Sequence, residues 1–214
     1  MLPQPPKELI TYFGEHFPKI QQFGALLVDQ GITRGLIGPR EADRIWDRHL
    51  ANCAAVCEVL PHKGVILDLG SGAGLPGIVI AIMRPSQQVV LLESLQRRVN
   101  WLTEVAELLG LKNVTVVRGR AGERLDLPPV VAITARAVAS LDKLMAWSAP
   151  ILPDGGSLYA LKGDDLPEEI AAIREGKDAK KLAREWQLNR IETWNNLPTI
   201  PGITPTNIVK VPRR

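Results

Sequence analysis

The chain has 214 residues, 45% hydrophobic and 23% charged, with a formal net charge of +3. That length suits one domain with a full core and a small appendage and excludes two independent large domains, while the charge is compatible with a polyanionic partner without defining one. The start, Met1 to Lys7, lacks the basic-then-apolar pattern of a secretory signal, and no apolar run reaches the ~20 residues of a membrane span, so a cytoplasmic protein with no membrane contact is expected.

Residues 7 to 60 read as helical. Leu9, Tyr12, Phe13, Phe17 and Ile20 recur at helical spacing, and Phe23, Leu26 and Leu27 continue the stripe. Gly38-Pro39 punctuates the next helix, Arg40 to Asp47, and a further run from Arg48 ends before Pro61. His49, Cys53 and Cys57 share one face of that run. Structural zinc takes four ligands from at least two segments, and Ala51, Ala54, Ala55 and Val56 mark a buried face, so no metal site is expected. The division is a helical extension over residues 1–62 and an α/β domain over 63–214.

From Gly64 short apolar runs alternate with amphipathic segments, the signature of βαβ units and a mostly parallel sheet with helices on both faces. Five runs precede residue 165: Val65 to Leu69, Val89 to Glu93, Val114 to Val117, Val130 to Ala135 and Ser157 to Leu161. Val99, Leu102, Val105, Ala106 and Leu109 mark one face of a helix stopping at Gly110. After Pro167 a charged, solvated helix is expected to about Glu185, followed by final strands near Leu188 to Trp194 and Ile208 to Val211 with a proline-rich loop between them.

The strongest motif is Val65-Ile66-Leu67-Asp68-Leu69-Gly70-Ser71-Gly72-Ala73-Gly74-Leu75-Pro76-Gly77, an apolar strand running into a glycine turn and then a helix. Gly70, Gly72 and Gly74 let the backbone turn sharply and bring its N–H groups to an anionic ligand. Glu93, ending the second apolar run, is placed to accept hydrogen bonds from ribose hydroxyls of an adenosine ligand. A dinucleotide site wants a small residue where Leu75 stands, and no Gly-Lys-Ser/Thr follows, so NAD and a P-loop both fit poorly. S-adenosylmethionine fits: it has no pyrophosphate, its carboxylate can meet the loop amides, and Asp68 can help place its ammonium group.

These residues resemble the ribosomal RNA small subunit methyltransferase G family, also called glucose-inhibited division protein B. Arg48-His49-Leu50, Arg84-Pro85, Leu92 to Val99, Arg136 to Leu141 and Tyr159 to Gly163 match that family in order and spacing over about residues 36 to 165. The resemblance implies a class I methyltransferase Rossmann-like fold with a seven-stranded sheet. It implies methyl transfer from S-adenosylmethionine to ring nitrogen 7 of a guanine in 16S ribosomal RNA, naked or in the small ribosomal subunit, by a protein taken to be a monomer. It also implies cofactor contacts at Gly70, Leu75, Ala121, Gly122 and Arg136. The family usually has an acidic residue at Gly122; here the carboxylate comes one later, at Glu123.

Guanine nitrogen 7 carries a lone pair and no proton, so the reaction needs alignment rather than a general base. The Asn/Asp-Pro-Pro-aromatic turn of exocyclic-amine methyltransferases is replaced by Thr134-Ala135-Arg136, and Cys53 and Cys57 lie in an apolar helix, unlike a nucleophile for carbon-5 chemistry. Arg136 is the expected active-site residue, positioning substrate or cofactor beyond a strand end, with a salt bridge as the alternative. Lys162, Arg48, His49 and Arg97 are RNA-binding candidates; Arg34, Arg40, Arg44, Arg98, Arg118, Arg120 and Arg124 extend the basic inventory, although such charges commonly just face solvent. Trp46 and Trp101 are core residues or base-stacking platforms. Two other functions fit the cofactor motif: a methyltransferase acting on a small molecule or protein, and a module that only senses the cofactor.

Overall fold

The computed structural model describes residues 1–123 and 125–214. The leader forms α1 (Lys7–Phe13) and α2 (Phe17–Leu26), then passes through a π-helical turn (Leu27–Gly31), a 3₁₀ segment (Pro39–Arg44) and a second π-helical stretch (Ile45–Ala51) into α3 (Asn52–Ala55). Its stripe, Leu9, Phe13, Ile20, Phe23 and Leu27, is buried as the periodicity demands.

The α/β part runs β1 (Val65–Leu69), α4 (Gly77–Met83), β2 (Val89–Glu93), α5 (Gln96–Leu108), β3 (Val114–Arg118), β4 (Val130–Arg136), α6 (Leu141–Ser148), β5 (Ser157–Lys162), α7 (Leu166–Glu175), α8 (Ala179–Glu185), β6 (Glu192–Leu197) and β7 (Thr206–Pro212). The sheet order is β3-β2-β1-β4-β5-β7-β6. β1 to β5 pair in parallel; β7 is antiparallel to both β5 and β6. Central strands β1 and β2 are apolar along nearly their whole length because helices cover both faces.

Alternation along the strands sends Ile66, Val89, Leu91, Ala132 and Tyr159 to a core shared with α4, α5 and the leader. Leu67, Leu69, Val90, Ile133, Leu158 and Ala160 face the opposite core with α6 and α7. The leader therefore docks on one face only, and it reaches the carboxyl ends of the strands.

Two expectations are corrected. The charged segment after Pro167 forms two helices, broken at Gly176, whose N–H caps Ala172 O at 2.9 Å and where a Cβ would lie 2.3 Å from that same oxygen. It is not wholly solvated either, since Leu166 and Ile173 are buried. The sixth strand begins at Glu192 instead of Leu188, because Leu188 to Arg190 form a 3₁₀ turn and Leu188 packs into the α6–α7 core.

Candidate active site

A cleft of about 680 Å³ opens at the carboxyl ends of β1, β2 and β4, where parallel α/β sheets hold their ligands. Its floor is the loop between β1 and α4, with φ of +74°, +55° and +97° at Gly70, Gly72 and Gly74. These left-handed conformations are open to glycine at little cost. The loop is braced from every side. Gly70 and Ser71 donate their N–H groups to Leu92 O at 2.9 and 3.1 Å, Gly74 and Leu75 donate to Ser71 O, and Trp101 Nε1 on α5 donates to Ala73 O at 3.0 Å.

Asp68 lies beneath this loop, fully buried. Its Oδ2 accepts the Gly77 N–H at 3.0 Å and its Oδ1 faces Thr134 Oγ1 at 3.4 Å. Burial pushes its carboxyl up to about 6. At Gly77 a Cβ would come within 2.5 Å of Asp68 Oδ2 and 2.3 Å of Leu91 Cδ2, so the start of α4 is pressed onto β1. The sequence suggested Asp68 at the ammonium end of a ligand; the structure gives its carboxylate to the first turn of α4 instead.

Glu93 ends β2 at the cleft wall and is 4% exposed. Its Oε2 accepts the Gly72 N–H at 3.1 Å, and its Oε1 accepts the N–H groups of Ser94 and Leu95 at 2.8 and 2.9 Å. Arg98 Nη1 approaches to 3.7 Å. Leu75 and Ala121 line the same space, whereas Gly122 is exposed and turned toward Trp147 by the tight turn in which Glu123 N donates to Arg120 O. The wall also holds residues that sequence reasoning did not assign to it: Leu36, Ile37 and Glu41 from the leader, and Trp147 from α6. Trp147 sits off the buried Leu141-Leu144-Met145-Ser148 stripe, a position that could have flagged it.

Arg136 stands at the end of β4 and is bound by the leader. Its Nη1 donates to Arg48 O at 3.2 Å and lies 3.1 Å from Cys53 Sγ, while its Nη2 donates to His49 Nδ1. A guanidinium only donates, so His49 Nδ1 accepts and Nε2 carries the proton given to Glu41 Oε2 at 2.7 Å. Burial, reinforced by the neighbouring guanidinium, holds the imidazole down at about 4 and therefore neutral. Burial likewise raises both thiols, Cys57 to about 12.

The cationic candidates separate sharply. Arg48 is exposed on the leader, as are Arg40 and Arg44. His49 is buried at the cleft wall, its ring tied between Arg136 and Glu41. Lys162 is neutralised by Glu169 at 2.7 Å and donates to Ala139 O, so it is no free phosphate ligand. Arg34 is held bidentately by Glu104 and stacks over Trp101. Arg97 is exposed and off the cleft; its neighbour Arg98 lines it instead. Arg124 lies outside the described residues. Trp46 and Trp101 are core.

Two features test the fit of S-adenosylmethionine. Arg98 Nε at the wall is buried without an acceptor, and the Ala73 N–H is a loop amide with no partner among the described residues. The Ala73 N–H is placed to donate to a ligand, and the Glu93 carboxylate offers its remaining lone pairs to hydroxyls. The residues fit the group.

Strand order, glycine loop and acidic wall define a class I S-adenosylmethionine-dependent methyltransferase. In fold the chain is similar to a predicted O-methyltransferase from Agrobacterium tumefaciens, with a TM-score of 0.56 and 18% identity, covering 77% of this chain and 80% of that one. In sequence it is 52% identical over 172 residues to the ribosomal RNA small subunit methyltransferase G of Streptomyces coelicolor, covering 80% of this chain and 72% of the relative. It is 53% identical over 173 residues to the one of Thermobifida fusca, covering 81% and 71%. Residues 16–191 match the model of that family, and the chain belongs to the rRNA small subunit methyltransferase G family.

Proposed function

We propose that this methyltransferase acts in the cytoplasm, as a monomer, on small-subunit 16S ribosomal RNA, and that its target is ring nitrogen 7 of one guanine. S-adenosylmethionine supplies an electrophilic methyl on a sulfonium sulfur. Gly70, Gly72, Gly74, Leu75, Glu93 and Ala121 hold it, with Asp68 fixing the loop from below. The observation that carries this reading is the state of His49. It faces the cleft neutral, with one ring nitrogen accepting from Arg136 and the other donating to Glu41. Neither nitrogen is free to take a proton, which suits a nucleophile that has none to lose.

Arg136, anchored by the leader, positions the substrate at the strand end, and the exposed Arg40, Arg44 and Arg48 present the helical extension to RNA phosphates. The test is ribosomal RNA mapped for 7-methylguanine in cells with and without the protein, together with transfer of tritiated methyl to stripped 16S RNA and to small subunits. Loss of one 7-methylguanine without the protein is expected. Unchanged RNA, with methyl transferred to small-molecule pools instead, would refute it.

A further inference from the structure

A second cavity of about 410 Å³ adjoins the cofactor cleft, and the two share Arg136 and Ala137 as their common wall. It lies beyond the ends of β4 and β5, roofed by the leader and by the chain entering β7. Thr204 N donates to Asp47 Oδ1 at 2.8 Å, and Asn207 Nδ2 donates to Gly163 O at 2.9 Å, so leader, β7 and the loop after β5 are tied into one rim. Its size falls within the range of ligand sites.

The charges of this cavity are unequal in kind. Arg44 and Arg48 are exposed on the leader side, where they suit phosphates. On the opposing loop stand Asp164 and Asp165, both exposed. Neither carboxylate has a hydrogen-bond or ion-pair partner among the described residues, because the nearby Lys162 is taken by Glu169 and Ala139 O. Two free carboxylates in a pocket that receives a polyanion repel it unless they accept hydrogen bonds from it. Asn52, which also lines the cavity, has a buried Oδ1 that meets no donor among the described residues.

Among the four bases only guanine offers two adjacent donors on its Watson–Crick edge, N1–H and the N2 amino group. Adenine and cytosine pair a donor with an acceptor, and uracil sets one donor between two acceptors. A flipped base is read on that edge. Nitrogen 7 lies on the other side of the purine.

We infer that this second cavity takes the target guanine, with Asp164 and Asp165 accepting from its N1–H and N2–H groups while its nitrogen 7 faces the Arg136–Ala137 boundary. The inference rests on the reading of the chain as a guanine-N7 methyltransferase and adds the residues that choose the base. The same carboxylates serve the reaction. As nitrogen 7 gives its lone pair to the methyl and the sulfur keeps the electrons of the broken S–C bond, positive charge passes to the guanine ring. N1–H and N2–H become stronger donors, so carboxylates facing them hold the transition state more tightly than the ground state.

The test uses the whole chain, the double variant Asp164→Ala/Asp165→Ala, which removes both acceptors, and small-subunit RNA carrying guanine or inosine at the methylated position. Inosine keeps nitrogen 7 and N1–H but lacks the N2 amino group. Wild type is expected to prefer guanine about tenfold, both in RNA binding without cofactor, read by fluorescence anisotropy, and in methylation rate. The double variant should lose about 10- to 100-fold on guanine RNA, and its guanine-to-inosine ratio should fall to near one, with cofactor affinity unchanged in titration calorimetry. A wild type indifferent to inosine, or a double variant that keeps the wild-type ratio, would overturn the assignment. If the wild type leaves guanine RNA without 7-methylguanine, the broader function fails instead and the pocket assignment falls with it.

Discussion

Glu93→Gln separates holding the loop from holding the ligand. The carboxylate accepts two N–H groups at Oε1 and one, from Gly72, at Oε2. A glutamine keeps its oxygen on Ser94 and Leu95 but turns an NH₂ toward the Gly72 N–H, leaving a nearly buried donor unpaired at about 1–3 kcal/mol. In a protein of this size that lowers Tm by about 2–4 °C for each kcal/mol. The same exchange removes a charged acceptor from the ribose, worth about 1.5–3 kcal/mol, so affinity for S-adenosylmethionine should fall about 10- to 150-fold. Calorimetric titration reads the affinity and thermal unfolding without ligand reads the loop. A drop in Tm with affinity kept within twofold of wild type would mean that Glu93 only braces the glycine turn, and the ribose assignment would be wrong.

Gly77→Ala should destabilise by about 1–3 kcal/mol, since the new Cβ meets buried Leu91 and Asp68 atoms at 2.3 and 2.5 Å; an unchanged urea midpoint would contradict this packing. His49, at about 4 in the fold against 6.5 unfolded, leaves the unfolded chain binding more protons between those values, so its contribution, up to about 3 kcal/mol, is lost as pH falls through them. Asp68, at about 6 against 3.8, has the opposite sign: its contribution declines as pH rises from 3.8 to 6. Wild-type stability should therefore be nearly flat from pH 4 to 6, and His49→Gln should uncover a decline with rising pH; parallel wild-type and variant profiles in urea titrations would refute the pairing. For RNA, Arg44→Ala or Arg48→Ala should each reduce the slope of log affinity against log salt by about one, while Arg34→Ala, whose guanidinium is already held by Glu104, should leave it unchanged.

The fold was legible where side-chain periodicity alone decides it. Val65–Leu69 and Val89–Glu93 are short apolar runs that cannot be satisfied except between two helical layers, and they are strands with those same bounds. The edge of the sheet was less legible. Leu188 and Ile191 look like strand residues by composition, yet both pack against the α6–α7 core while the polar Glu192 to Leu197 segment pairs with β7. Edge strands carry little apolar signal, and what fixes this one is the ladder to Lys210 and Ile208, a long-range fact. The break at Gly176 is local, but one glycine within a charged run reads as tolerated helix until the backbone crowding at Ala172 is seen.

The site was legible in its glycines and its acid, because backbone shape and a strand-end carboxylate are local properties. Its cations were not, because a sequence counts charges while a field depends on which of them remain unpaired. Arg34 and Lys162 looked as available as Arg48, and each is cancelled by a glutamate 70 residues away in one case and on the following helix in the other. The leader carries the same lesson further. Its periodicity announces helices but not where they dock, and docking is what brings Leu36, Ile37, Glu41 and His49 to a cleft whose motif begins at Gly70. Arg136 makes that docking specific: its Nη1 meets Arg48 O and Cys53 and its Nη2 donates to His49, so the strand end and the leader hold one geometry together. A residue chosen from sequence for contact with substrate thus owes its position to the helical extension, which holds Arg136 and supplies one wall of the cleft.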